Sequence, residues 1–411
     1  MNKYFTRLSI LWLLMIGLVS LGIAQEESAN KWTQFRGEDR SGKSMESLDG
    51  VDWSTSKPEL VWKHELGSGF AELTMMGNRM YTMTSQTIDS TTGSEFLAAY
   101  EVETGKELWR QKVDSIYFDP DGWGDGSRTT PSIDDEHIYC LSGHGKLSAH
   151  HLKDGAIIWQ IDLKAKYGSA EPRWGFSTSP IILEGLLIME VGGAENKAFV
   201  AFDKENGEIV WNYGKGNASF NSPLLTTIDE QLQIIFANGK TLYSFNPKGD
   251  TLWTYAMPFG GITAMPLLIK NNKIFLSGIR NPGFVIVEIN DHKATEFIRG
   301  TSMKTDFNTA VYHDGYIYGF HVASLRCISA ETGEAKWTKR GFGKGSLMIV
   351  DDQLLVLSDK GKLIIVEAKP DAYVEKTSVQ ALEGKSWTAP SFVNGKVYVR
   401  NLTHMACYKI K

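Results

Sequence analysis

Five glycines in this chain each stand four residues ahead of a tryptophan: Gly105 and Trp109, Gly155 and Trp159, Gly207 and Trp211, Gly249 and Trp253, Gly333 and Trp337. Counting Trp62, successive tryptophans are 47, 50, 52 and 42 residues apart, and the last gap of 84 is twice 42. One unit has therefore kept its length and lost its ring. Self-similarity at about 40–50 residues is the mark of a β-propeller, in which each unit is a small sheet that buries its faces only by stacking on its neighbours. Such a scaffold hosts enzymes, ligand sites and docking surfaces alike, so the repeat constrains fold far more than function.

Each unit reads as a strand opened by Ser or Thr and Pro, a second strand carrying Tyr or Phe, a third of alternating apolar residues, a tight turn, and a short closing strand with the tryptophan. In one unit Thr129, Thr130 and Pro131 open the first strand, Ile138 and Tyr139 lie in the second, Leu147 to Leu152 form the third, and Asp154 and Gly155 turn into Trp159. The same frame recurs from Ser179 to Trp211, from Ser222 to Trp253, from Thr309 to Trp337 and from Leu73 to Trp109. Two further units, from Met265 to about Ile298 and from Leu347 to about Val374, keep the strand pattern without the ring. The eighth starts at Ala389 and ends at Lys411 after three strands. Pro58 to Lys63, with Trp62, supplies the missing fourth, which removes an open edge. The expectation is an all-β, eight-bladed propeller of four-stranded antiparallel blades over residues 58–411, closed by an N-terminal strand that completes the C-terminal blade.

Hydrophobic content of 42%, 22% charged residues and 40 glycines suit one packed, turn-rich domain. A net charge of -5 argues against a nucleic-acid partner. Lys3 and Arg7 precede an apolar run from Leu8 to Val19 and the small residues Gly22 to Ala24, which reads as a secretory signal over residues 1–24, cleaved after Ala24. Cleavage leaves a net charge of -7, no transmembrane segment, and an exported monomer, periplasmic or extracellular. An uncleaved anchor is the alternative. Residues 25–57 are expected to form an N-terminal extension packing on the propeller. Cys140, Cys327 and Cys407 read as small buried strand residues, since Cys327 and Cys407 hold the same strand position two blades apart.

Trp62, Trp109, Trp159, Trp211, Trp253 and Trp337 are expected to dock blade on blade, each ring on an outer strand with its indole N–H on a backbone acceptor. With the turn Glu331, Thr332, Gly333, Glu334, Ala335, Lys336 and Trp337, residues 32–411 resemble the pyrroloquinoline-quinone (PQQ) repeat family of eight-bladed propellers. The stretches from Trp32 to Gly37, Arg40 to Gly42, and Pro172 to Phe176 are similar to exported PQQ-like proteins of several bacterial groups. The resemblance implies one of two branches: quinoprotein dehydrogenases, or non-catalytic members such as the outer-membrane-assembly factor BamB. The dehydrogenases hold a planar quinone between a tryptophan and a disulfide of adjacent cysteines, with calcium on Glu, Asn and Asp. This chain has no adjacent cysteines and lacks the long insertions, which favours the non-catalytic branch, without PQQ or calcium. A PQQ- or calcium-dependent oxidoreductase and a carbohydrate-binding propeller are the alternatives.

No catalytic residues are identified. His150 and His151 are strand neighbours facing opposite ways and cannot share a metal. Asp119, Asp121 and Asp125 stand on one glycine-rich loop of the kind calcium accepts, though without the spacing of an EF-hand. Three residues before the Pro position of each inner strand stand Phe70, Arg128, Ser177, Phe220, Thr263, Phe307, Lys344 and Trp387. In a propeller these entrances ring the central channel on one face. Four aromatics and two cations there suit an anionic or sugar-like ligand, or the side chains of an envelope protein or peptide, and Arg173, Trp174 and Phe176 just upstream extend the surface.

Overall fold

The computed structural model describes residues 31–270 and 272–410. The signal expected over residues 1–24 and the first residues of the extension lie outside this range. Eight sheets form the blades of a propeller, and in seven of them the strands run in sequence order from the inner to the outer edge. The first blade comprises Thr74–Met76, Arg79–Thr87, Gly93–Glu101 and Glu107–Ser115. In the last, Ser391–Val393, Lys396–Arg400 and His404–Lys409 take Glu59–Glu65 as their fourth strand, with Trp62 opposite Cys407. Ring closure is thus a hydrogen-bonded splice between the two ends of the chain.

Middle strands such as His137–Leu141 and Gln353–Leu357 are buried at every residue, whereas the outer strand Ala335–Lys339 is buried only at Trp337. Blades stack face to face, so only their outer edges meet water and keep the alternation of a half-buried strand. Two blades lack the glycine turn for different reasons. Asp291 and His292, both with positive φ, form a two-residue hairpin before Lys293–Gly300. The seventh blade has a loop between Lys362–Glu367 and Glu375–Gln380, so its last strand lies beyond the expected end near Val374.

The Gly–Trp spacing turns out to be one half of a joint between neighbouring blades. A Cβ on Gly105, Gly155, Gly207 or Gly249 would lie 2.4–3.0 Å from the ring of Trp62, Trp109, Trp159 or Trp211 respectively, always the tryptophan of the preceding blade. The indole N–H of Trp62 donates to Val102 (3.0 Å), that of Trp159 to Lys204 (2.9 Å), that of Trp211 to Pro247 (3.0 Å) and that of Trp337 to Lys369 (2.8 Å). Each acceptor is a backbone carbonyl in the turn or loop of the next blade. Trp253 departs from this, donating to Gln233 Oε1 of its own blade (2.8 Å), because the next blade has the two-residue hairpin. Trp109 packs against Tyr81, and its Nε1 has no protein acceptor. Cys140, Cys327 and Cys407 are buried free thiols.

The N-terminal extension occupies the channel. Its β1 (Lys31–Trp32) pairs antiparallel with the inner strand of the first blade, and β2 (Lys43–Ser44) pairs parallel with that of the seventh. Between them Arg36 donates to the carbonyls of Thr309 (3.2 Å) and Ala310 (2.8 Å), while Arg40 donates to those of Ser179 (3.0 Å) and Pro180 (2.9 Å). Both guanidinium groups are buried, and burial pushes the Arg36 pKa down to about 10 and that of Arg40 to about 9. Two cations thereby tie the extension to inner strands of separate blades.

Three buried glutamates brace loops in the same way. Glu72 accepts from Arg36 N (2.7 Å), Glu95 from Tyr117 N (3.1 Å) and Gly143 N (3.0 Å), and Glu190 from Ser219 N (2.9 Å) and the Asn238 amide. Burial raises each pKa to about 7. The folded chain therefore holds these protons after the unfolded chain has released its own, and stability falls as pH rises from about 4.5 to about 7. Glu190→Gln is expected to narrow the stability difference between pH 5 and pH 8 by on the order of 1–3 kcal/mol, read from urea midpoints. An unchanged difference would show that Glu190 does not carry this dependence.

Candidate functional site

The inner strands start at one face of the ring, and their entrances come together there. All eight positions, from Phe70 through Arg128, Ser177, Phe220, Thr263, Phe307 and Lys344 to Trp387, line a single cavity of about 310 Å³. Phe35, Arg36 and Glu72 also line it, so the extension closes the channel below the mouth and makes it a blind pocket.

Aromatic rings dominate the walls. Trp387 stacks on Phe70 (centroids 5.9 Å apart) and touches Phe307 (4.8 Å) and Trp123 (5.8 Å), while Trp174 packs on Phe220 (4.9 Å) across the mouth. All six rings retain accessible surface, and Trp123 is 44% exposed. Cations sit over them: Arg128 lies 5.2 Å from the Phe70 centroid, and Lys385 lies 4.7 Å from that of Trp387. Each mouth cation is already engaged. Arg128 pairs with Asp119 at 2.5 Å, Lys344 with Asp306 at 2.6 Å, and Lys385 donates to the Trp123 carbonyl at 2.5 Å.

The three aspartates of the rim loop have separate protein partners. Asp119 accepts from the backbone N–H groups of Asp121 (2.8 Å) and Trp123 (3.0 Å) while pairing with Arg128. Asp121 takes Arg173 (2.6 Å) and the Trp174 indole N–H (2.7 Å), whose hydrogen bonds pull its pKa down to about 2. Asp125 accepts from Asp119 N at 2.8 Å. Together they fold the loop over the rim and fix Trp123 and Trp174 beside the cavity. Among the described residues no three His, Cys, Asp or Glu side chains gather as a metal site.

Of the upstream residues, only Trp174 reaches the cavity. Arg173 stays outside as the exposed clamp on Asp121. Phe176 is core: Phe176 N donates to Gly143 O, the chain turns inward, and the ring packs with Tyr139, Leu147 and Leu187. Sequence reasoning missed Trp123, Asp306, Lys385, Glu72 and Asn308, although Trp123 stood in plain view inside the aspartate loop. Arg36 was visible as part of a motif, with nothing local to show that it faces the channel.

The quinone of the dehydrogenase branch stacks on a disulfide of adjacent cysteines, which this chain lacks, although Glu72, Asp306 and Asn308 line the cavity. Glu72, the carboxylate at the cavity floor, is capped by Arg36 N and flanked by the charges of Arg36 and Arg40. The cysteines are dispersed inside blades, with their thiols pushed up to about 12 by burial.

Fold and channel together define a PQQ-like repeat propeller. The family model of the outer membrane protein assembly factor BamB matches residues 93–339, more than half of the chain, and the chain belongs to that family. It is 22% identical over 399 residues to the outer membrane protein assembly factor BamB of Yersinia pestis, covering 94% of this chain and 85% of that protein. The crystal structure of BamB from Moraxella catarrhalis superposes with a TM-score of 0.63 at 13% identity, over 87% of this chain and 98% of that one. A europium-containing methanol dehydrogenase superposes with a TM-score of 0.71 at 10% identity, over 94% and 99%. Structural likeness at such identities shows the fold alone. No helix among the described residues is long and apolar enough to cross a membrane.

Proposed function

We propose that this chain is an exported, non-catalytic binding scaffold of the cell envelope, and that the channel mouth is its recognition surface. One observation carries the reading: eight entrance residues, one from each blade, converge on a blind pocket whose aromatic rings all retain some accessible surface. Channel-plugging residues would leave no open volume between them, whereas aromatic and arginine side chains that border a concavity are the usual anchors of binding. The relatives named as assembly factors support an envelope component as partner. The signal-like N-terminus supports export to the periplasm or beyond.

Capture from envelope extract tests the surface. The double variant Arg128→Ala, Trp387→Ala is expected to recover the wild-type set of partners at about one tenth of the yield or less. Equal recovery removes the mouth from the proposal. Titration with PQQ and calcium is expected to give neither saturable quinone absorbance nor alcohol-dependent dye reduction. Saturable binding with turnover overturns the non-catalytic reading.

A further inference from the structure

We infer that the pocket takes the ring of a neutral saccharide, as a free mono- or disaccharide or the terminal unit of an envelope glycan. The inference rests on the reading of the mouth as a recognition surface and goes beyond it by naming the ligand chemistry.

Charge decides against the other small ligands. The cations around the cavity would suit an anion, yet Arg128 already pairs with Asp119, Lys344 with Asp306, and Arg36 lies beside Glu72. An anion entering the mouth meets the carboxylates of Asp119 and Asp306 along with these cations, and Lys385 is held by a carbonyl. A cationic ligand is disfavoured from the opposite side, because it would be repelled by Arg128, Lys344 and Lys385, which lie 4.7–5.9 Å from ring centroids of the wall. What remains is an uncharged ligand with one apolar face and a polar edge.

The walls and floor match that description. Trp387, Trp123, Phe307 and Phe70 form one continuous aromatic wall, the surface on which the C–H face of a pyranose stacks. Below it lie polar atoms that nothing in the protein satisfies. Glu72 Oε1, a donor when protonated and an acceptor when ionised, and Asn308 Nδ2 and Arg36 Nε, both donors, are buried, belong to residues lining the cavity, and have no hydrogen-bond partner. Leaving a buried polar atom unpaired is costly, and a set of donors and acceptors is complemented by hydroxyls, which do both. The volume of about 310 Å³ is at the small end for ligand pockets, which limits the occupant to one or two sugar rings.

The test is titration of the intact mature protein, followed by tryptophan fluorescence, with methyl β-D-glucopyranoside, cellobiose, N-acetylglucosamine and N,N′-diacetylchitobiose. D-glucuronate and glucosamine serve as charged counterparts. At least one neutral sugar is expected to saturate, with the charged ones about tenfold weaker or more, and Trp387→Ala is expected to weaken binding by about tenfold. Trp123→Ala provides a second variant at an exposed position whose loss does not threaten folding, and the same weakening is expected there. Absence of saturation by every neutral sugar, equal affinity for glucuronate, or indifference to both tryptophan variants overturns the assignment. If the sugars fail while envelope capture still depends on Arg128 and Trp387, the saccharide falls and the recognition surface stands. If capture is indifferent as well, both fall.

Discussion

Gly105→Ala is expected to destabilise the folded chain by about 2–4 kcal/mol, because the new methyl group meets two obstacles at once. The backbone there has φ +68°, which an L-residue adopts at a cost of about 1–2 kcal/mol. Its Cβ would also lie 2.7 Å from Cδ2 and Cε3 of Trp62 and 2.6 Å from the His64 ring. Trp62 cannot simply retreat, since it packs against Tyr398 and its indole N–H is held by the Val102 carbonyl. Trp62→Ala is expected to cost about 3–5 kcal/mol through the cavity and the lost hydrogen bond. The pair should be strongly non-additive. In the Trp62→Ala background the clash with the indole is gone and the His64 ring has space to move aside, so the cost of Gly105→Ala should drop toward the backbone share of about 1–2 kcal/mol. Urea denaturation of the four proteins gives the cycle, and full additivity would show that the glycine and the ring are not one joint. This joint matters more than its equivalents because Trp62 lies on the strand that closes the propeller.

Arg40→Ala is expected to release the channel plug while leaving the blades folded. The guanidinium is fully buried and makes charge-assisted hydrogen bonds to the carbonyls of Ser179 and Pro180, and to Gln34 at 3.2 Å. Such bonds contribute about 1.5–3 kcal/mol each, and Ser179 O is left with no other side-chain donor. Allowing for the relief of burying a charge, a net loss of about 3 kcal/mol at the extension corresponds to roughly 100-fold faster amide exchange over residues 31–48. Arg36→Ala acts on the opposite side of the channel, at Thr309 and Ala310, and also loosens Glu72. Hydrogen exchange resolved by peptide checks both. Acceleration confined to the extension is expected, and equal acceleration across all eight blades would show that the arginines hold the propeller as a whole.

The blades were legible because their signals are local. Glu331 to Trp337 announces its turn within seven residues, and the positive φ that Gly333 needs is a property of that turn alone. The two blades without glycine turns were counted correctly from strand pattern, but the end of the seventh was misplaced because a loop replaced the hairpin. Aligning the repeats also brought the eight entrance residues to one ring, since equivalent positions in stacked units must face the same channel.

The cavity itself was another matter. Phe176 sits next to Ser177, an entrance residue, yet faces the core, and Arg173, three residues further back, faces solvent. Trp123 and Lys385 lie on loops outside the repeat, so no alignment assigns them a direction. Phe70 and Trp387 stack although they are 317 positions apart in the chain.

Sequence by itself determined the eightfold count, the splice of Glu59–Glu65 into the last blade and the identity of the entrance ring, because a repeat needs only its neighbours to define it. Tertiary structure alone decided that the extension plugs the channel, that each mouth cation has a carboxylate or carbonyl partner, and which polar atoms are left without one. Those features depend on side chains converging from opposite blades around a single axis, and no local pattern in the chain records where they meet.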